Sequence, residues 1–323
     1  MTRLLQSGLL MLVLAVVLYG AMALYADGDL VWQAIRSLDY RIWIAILALS
    51  LGNYLLRYWR WSWYILHNSD CKISHAEHAA IYIAGFSLTT TPGKAGEAMR
   101  SLYLSRYGIS HARSLGALLV ERIMDLFAIL IMAGVGFFVL VDNNPAVQIT
   151  VIAAFAVMLL TIFIVKMPRE KIMAFSLVQK LPGKLRQLVF FASTTLDNAR
   201  DLLSLRFLVL GLFIGLISWG LEGYGLLLVM QAYSPELSTI YLATAVYGLA
   251  ILLGTISMSP AGIGASEFVM ASLLVIAKFD MPSAIAITYI CRIATLWFAV
   301  GLGLLCMLFL SAVGIKPQFP KDV

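Results

Sequence analysis

A hydrophobic stretch able to enter a bilayer is broken by the same kind of segment twice in this chain. The first break reads Thr89-Thr90-Thr91-Pro92-Gly93-Lys94-Ala95-Gly96-Glu97, the second Ser257-Met258-Ser259-Pro260-Ala261-Gly262-Ile263-Gly264-Ala265-Ser266-Glu267. Each passes from hydroxyl side chains through a proline and two glycines to a carboxylate. Backbone freed from a helix at membrane depth has to be buried in protein or line a wet cavity, because hydrocarbon offers its N–H and C=O groups no partner. Paired interruptions at corresponding places in two halves of a chain point to the binding site of a transporter. Pro92 and Pro260 end the arms before them, and Gly93, Gly96, Gly262 and Gly264 permit tight turns and close backbone approach. Amides freed at the start of each second arm would make an anion-binding terminus.

The duplication continues beyond the glycines. An arginine follows each proline inside an apolar run, in Val120-Glu121-Arg122-Ile123-Met124-Asp125 and Ile290-Cys291-Arg292-Ile293-Ala294. Pro92 and Pro260 are 168 positions apart, Arg122 and Arg292 are 170 apart, and one slip of two residues reconciles the offsets. An internal repeat is therefore expected.

Composition agrees with a membrane location. Of 323 residues 61% are hydrophobic and only 12% charged, at a mean hydropathy of +0.91, whereas a soluble domain carries roughly 25% charged residues. The net charge of +6 does not indicate nucleic acid, since the basic residues flank apolar spans, where they set orientation. Cys71, Cys291 and Cys306 have no metal-ligand spacing and read as small core residues. His75 and His78 read as a solvated face rather than a metal site, and neither metal nor cofactor is expected.

A helix needs about 20 apolar residues to cross the hydrocarbon, which gives six full spans near 5–25, 41–57, 114–140, 147–166, 207–230 and 283–311. The first could pass for a secretory signal, but its apolar run is longer than the usual ~7–15 residues, so a retained span is expected. Around the breaks the arms are poorer in apolar residues, and both are read as re-entrant helical hairpins, over 76–110 and 238–278. The fold class expected is an all-α polytopic membrane protein in one domain over 1–323, with six spans and two hairpins arranged as an inverted repeat, 41–140 against 207–311. Arg57, Arg60, Lys72, Lys94, Arg100, Arg106, Arg113, the Lys166–Arg206 region, Lys316 and Lys321 then share one side, with Asp142-Asn143-Asn144 on the other, which puts both termini in the cytoplasm. Residues 167–205 link the halves as two basic amphipathic helices split at Leu181-Pro182-Gly183, with Phe175, Leu177, Leu188, Phe190 and Phe191 on the apolar side. The linker is either an anionic-lipid platform or a solvated connector. The Gly211/Gly215 pair reads as close internal packing.

Ionisable groups inside spans are functional-site hypotheses by default, because each costs at least ~2.5 kcal/mol at the bilayer centre. They are Glu97, Arg100, Glu121, Arg122, Asp125, Glu222, Glu267 and Arg292, three arginines against five acids, which leaves room for a proton or a cationic headgroup. Arg122 has Asp125 at i+3. Arg292 has no local acid, and Glu267 or Glu222 is its expected partner. A planar guanidinium suits bidentate recognition of phosphate, so Arg122 and Arg292 could each hold a lipid phosphate; the competing reading makes them structural ion pairs. No Gly-x-x-x-x-Gly-Lys-Ser/Thr loop is present, which argues against direct ATP use, and Glu97, Glu222 and Glu267 are the candidate proton carriers.

Asn53-Tyr54-Leu55-Leu56-Arg57-Tyr58-Trp59-Arg60-Trp61, Pro92-Gly93-Lys94-Ala95-Gly96-Glu97, Glu121-Arg122-Ile123-Met124-Asp125 and Pro260-Ala261-Gly262-Ile263-Gly264-Ala265-Ser266-Glu267 together resemble the flippase-like membrane family related to the N-terminal half of lysylphosphatidylglycerol synthases. The resemblance implies a non-enzymatic lipid transporter of the bacterial inner membrane. In that family a separate soluble domain transfers the amino acid; this sequence stops at Val323 without one, so aminoacyl transfer is not expected. The substrate classes implied are an anionic or aminoacylated phospholipid or a polyprenyl-linked sugar. A second copy of the chain or a lipid-synthesis enzyme is the protein partner to look for. The rival functions are a membrane transferase acting on a lipid-linked substrate and a non-catalytic scaffold.

Overall fold

The structure, a computed structural model, describes residues 28–67, 69, 71–140, 145–167, 170 and 182–318. The expected first span at 5–25, the Asp142-Asn143-Asn144 loop and the first linker helix, with Phe175 and Leu177, lie outside the described residues, as do the side chains of 92–95 and of Leu188.

The described chain is helical. Its α-helices are α1 (Gly28–Ser37), α2 (Tyr40–Leu66), α3 (His75–Ala84), α4 (Arg100–Leu104), α5 (His111–Leu140), α6 (Pro145–Val165), α7 (Gly183–Asp201), α8 (Leu205–Tyr233), α9 (Ile240–Ile256), α10 (Ala265–Ile276), α11 (Met281–Arg292) and α12 (Phe298–Ala312). Short polar caps start several of them. Asp39 accepts from the Arg41 amide, Ser74 from Glu77, Thr239 from Leu242 and Asp280 from Ser283, each satisfying an amide that the first helical turn leaves without a partner.

This is an all-α polytopic membrane protein. Three helices among the described residues are long and apolar enough to cross a membrane, Tyr40–Leu66, Leu205–Tyr233 and the continuous Met281–Ala312, rather than six. The helix over the expected span 114–140 runs from His111 to Leu140; it is not one of these three, and Arg113, Glu121, Arg122 and Asp125 lie in its first half. Large apolar side chains face outward, as a lipid environment requires and water would not favour. On α6 alone Ile149, Ile152, Val157, Leu159, Leu160 and Phe163 are each 55–68% exposed.

Both breaks are present, and they differ in conformation. In the first, a 3₁₀ turn (Gly85–Leu88) extends α3, the chain turns at Thr89–Thr91, and a second 3₁₀ stretch (Pro92–Met99) leads into α4. No described residue of this tip has a positive φ. Gly96 serves close approach instead, since a Cβ there would lie 2.5 Å from the Leu88 carbonyl oxygen. In the second, between α9 and α10, Met258, Ala261, Gly262 and Gly264 all have positive φ (53°, 54°, 72° and 92°). Glycine adopts that region freely, while Met258 and Ala261 pay for it in Cβ–carbonyl crowding. In both breaks the arms pack on one another, α3 on α4 and α9 on α10, and the two tips touch, Pro92–Met99 against Pro260–Gly262.

Packing crosses between the halves. α2 lies along α8, α5 along α9, and α12 along α3 and its 3₁₀ extension. Thus the last helix of each half holds the first hairpin arm of the other. Gly248 on α9 lets that arm reach the α5 backbone, because a Cβ there would stand 2.7 Å from the Ala133 nitrogen. The Gly211/Gly215 pair faces inward, Gly211 beside the Tyr64 hydroxyl and Gly215 beside Arg60 and Ala128. The second linker helix, α7, packs on α5 and α6 and leaves Phe190 and Phe191 exposed. His75 and His78 do not share a solvated face. His75 is exposed, but His78 is fully buried, with Nδ1 3.3 Å from the Ser62 hydroxyl.

Candidate functional site

The first half buries a cluster of arginines and acids drawn from α2, the Pro92–Met99 stretch, α4 and α5. Asp125 on α5 accepts from Arg57 Nη2 at 3.0 Å and from Arg60 Nη2. Glu121, one turn earlier, takes Arg100 Nη1 at 3.2 Å, Arg122 Nη2 at 3.1 Å and the Tyr82 hydroxyl at 2.6 Å. Glu97, from the second hairpin arm, takes Arg100 Nη2 at 3.0 Å, Arg122 Nη2 at 3.1 Å and the Thr89 hydroxyl at 3.1 Å. The Arg100 guanidinium also lies 3.9 Å from the centre of the Tyr82 ring, and Arg60 Nη1 donates to the Gly211 carbonyl. Buried charges persist only when paired and hydrogen-bonded, and here each carboxylate has at least two donors.

The second half carries a smaller centre. Arg292 Nε donates to Glu267 Oε1 at 2.6 Å and Nη2 to the Ala261 carbonyl at 3.0 Å. Of the two acids expected for Arg292, Glu267 is the partner. Glu222 on α8 lies apart, accepting from the Ser50 hydroxyl at 2.9 Å, and among the described residues no arginine or lysine stands within ion-pair distance of it. Between the two centres, Tyr54 OH donates to the Thr295 carbonyl at 2.5 Å. Thr295 sits in a π-helical turn (Ile293–Trp297) between α11 and α12, and such turns often mark functional positions.

A cavity of about 330 Å³ joins the centres. The first half contributes Arg57, Glu97, Arg122 and Asp125 to its wall, and the second contributes Glu222 and Arg292. Both hairpin tips form part of the lining, through Thr89 and through Met258, Ser259, Ala261 and Gly262. Met258 is 66% exposed, so the cavity reaches the surface beside the second tip. Arg100, Glu121 and Glu267 stand behind the wall and hold the lining groups. Arg122 is the most open of the arginines in these two centres, its side chain 23% exposed, and the Nε atoms of Arg57 and Arg122 are buried with no acceptor among the described residues.

Two expectations change. Arg57 and Arg60, counted above with the cytoplasmic loop charges, are 5% and 0% exposed and belong to the buried cluster, as does Arg100, so only the remaining basic residues speak for orientation. The spacing Asn53, Arg57 and Arg60 on one helical face, within a motif of the resemblance, was the available signal; its position near the end of an apolar run favoured a loop instead. With these two included, five arginines face five carboxylates, and the excess of acid expected from the sequence disappears. One amide at each hairpin tip is already taken. Glu267 Oε2 accepts from the Gly264 amide at 2.7 Å, and the Thr91 hydroxyl accepts from the Gly96 amide at 2.6 Å.

A "UPF0104 membrane protein" of Methanothermobacter thermautotrophicus (strain Delta H) is 26% identical over 312 residues, which cover 90% of each chain. Residues 9–303 match the family described as "Lysylphosphatidylglycerol synthase TM region", so both buried centres and both hairpins lie inside the matched region. The chain therefore belongs to the flippase-like membrane family defined by the transmembrane region of lysylphosphatidylglycerol synthases.

Proposed function

We propose that the protein is a lipid flippase in which a polar headgroup enters the cavity between the two hairpins while its acyl chains stay in the bilayer. The observation that carries this reading is the cavity itself, walled by charges from both halves inside a molecule whose outer face is apolar. Its volume falls at the lower end of small-ligand pockets, ~300–1,000 Å³, which suits a headgroup and excludes a whole lipid. Arg122 and Arg292 line it from opposite halves and are the groups proposed to hold the headgroup phosphate, with Arg57 beside Arg122. Glu97, Glu121 and Asp125 orient the first guanidinium, Glu267 the second, and Arg100 braces Glu97 and Glu121.

The finer architecture belongs to the same proposal. Six spans, two re-entrant hairpins and an inverted repeat, in the cytoplasmic membrane with both termini inside, would let the halves exchange conformations and expose one site alternately. Reciprocal packing of each half's last helix on the other's first hairpin arm supports this arrangement, as does the meeting of the tips.

Leaflet exchange of fluorescent phosphatidylglycerol in vesicles containing the purified protein tests the reading. Arg122→Lys and Arg292→Lys keep the charge but not the fork. Losing one charge-assisted hydrogen bond, ~1.5–3 kcal/mol, should slow exchange by roughly ten- to a hundredfold, while thermal stability falls far less. Normal exchange by the double variant would make both arginines structural.

A further inference from the structure

Among the described residues, Glu222 differs from every other buried acid. Glu97, Glu121, Asp125 and Glu267 are each ion-paired to arginine, so a proton placed on any of them breaks an ion pair. A proton on Glu222 breaks none, and a neutral carboxyl can keep the Ser50 hydrogen bond. Glu222 also occupies a boundary. On one side it lines the main cavity; on the other it lines a void of about 10 Å³ bounded by Ile46, Ser50, Val229 and Cys291, close to the ~10–15 Å³ needed for one water. Ile46 and Val229 lie toward the α1 end of α2 and the Tyr233 end of α8, away from the Arg57 and Arg60 cluster. A proton on Glu222 therefore stands between the cavity and the opposite end of the helix pair.

The surroundings show what that proton would do. From α2, Ser50, Tyr54 and Arg57 act on Glu222; from α9, Tyr247; from α11, Cys291. Arg292, also on α11, and Asp125, on α5, share its cavity, but Arg292 is tied to Glu267 and Asp125 to Arg57 and Arg60. Arg57 is thus the cation nearest in effect, and it is shared with Asp125. With all ten arginines and carboxylates ionised the interior is neutral, and one proton on Glu222 leaves it at +1. A site at +1 favours a phosphate monoanion more than a neutral one does, and by linkage the phosphate favours the proton equally.

We propose that Glu222 is the proton-exchange site of the transporter, and that its proton is bound together with the headgroup phosphate and moved in the same direction. The inference rests on the flippase reading. The proton comes from water in the cavity, resides on a Glu222 carboxylate oxygen, and returns to water when the site opens to the other face. One proton and one phosphate monoanion move without net charge, so a pH gradient drives the step and a membrane potential does not.

The test uses vesicles of phosphatidylethanolamine and phosphatidylglycerol that contain the protein and labelled phosphatidylglycerol. With one proton per lipid, one unit of pH gradient should shift the leaflet ratio of the label by up to about tenfold, toward the alkaline side, and a potassium potential set with valinomycin should leave it unchanged. In Glu222→Gln the ratio should no longer follow the gradient, and Glu222→Asp should restore the dependence. A ratio in the wild-type protein that ignores the gradient, or one in Glu222→Gln that still follows it, overturns the proposal. Independently of lipid, infrared spectra of the purified protein should show a titrating carboxylic-acid carbonyl band that is missing from Glu222→Gln; no such difference excludes Glu222 as the proton site. A wild-type protein that moves no labelled lipid sinks the flippase reading instead, and the infrared band still decides on Glu222.

Discussion

At the scale of single residues, Asp125 holds two buried arginines of one helix at once. Its two oxygens separate Arg57 and Arg60, which are almost wholly buried and enter from the same face of α2. Asp125→Asn keeps the shape and removes the charge, leaving guanidinium groups without full compensation in the interior. Breaking a buried pair in this way costs about 3–5 kcal/mol, so unfolding in detergent should occur at markedly lower temperature or denaturant than for the wild type. Arg122→Lys, at a side chain partly open to the cavity, should cost much less. Equal losses for the two variants would remove the distinction between the bracing cluster and the group that faces the cavity. Glu121 and Asp125 were legible in the sequence because they stand in an apolar run with Arg122. Arg57 and Arg60 were not, since a basic residue close to a span end has the same appearance whether it snorkels to water or turns inward.

At the scale of elements, the two hairpins are alike in sequence and unlike in backbone. The first tip runs through right-handed 3₁₀ turns, whereas the second uses left-handed residues at four of seven positions from Met258 to Gly264. Proline–glycine spacing announces a break, but the choice between these conformations falls to partners distant in sequence, such as the Arg292 guanidinium on the Ala261 carbonyl. Helix contact is also set by glycine. Gly248→Ala would drive a methyl group into the α5 backbone, and such overpacking typically costs ~1–3 kcal/mol. Gly220→Ala on α8 meets nothing within 4 Å and should be neutral or stabilising by up to ~1 kcal/mol from helix propensity. Thermal unfolding of the two variants checks the contrast, and a tolerated Gly248→Ala would show that α9 can slide on α5.

For the whole molecule, orientation is the property most open to measurement. In a background in which Cys71, Cys291 and Cys306 are replaced, a cysteine at Ser234 should react with an impermeant maleimide from outside, and one at Lys316 only after the inside is exposed. Cysteines at Lys94 and Ser259, near the two hairpin tips, should label from opposite sides, in a manner that depends on the state of the cavity. A tip that labels in every condition from the side opposite its own entry would refute the re-entrant arrangement.

The sequence by itself determined that this chain is an all-α membrane protein, that it breaks its helices twice with related motifs, and which family it resembles, because hydropathy, proline and glycine act locally and leave a periodic trace. It also marked most of the ionisable groups that the fold buries, since a charge inside an apolar run is conspicuous wherever it ends up. Tertiary structure alone decided which of these groups share a cavity, that Arg57 and Arg60 join them to bring the interior to neutrality, and that Glu222 is held by a serine where its companions are held by arginines. The contacts of Arg57 and Arg60 with Asp125 and of Ser50 with Glu222 join residues 65 to 172 positions apart, and pairing over such distances is fixed by how helices pack, which no local pattern of residues encodes.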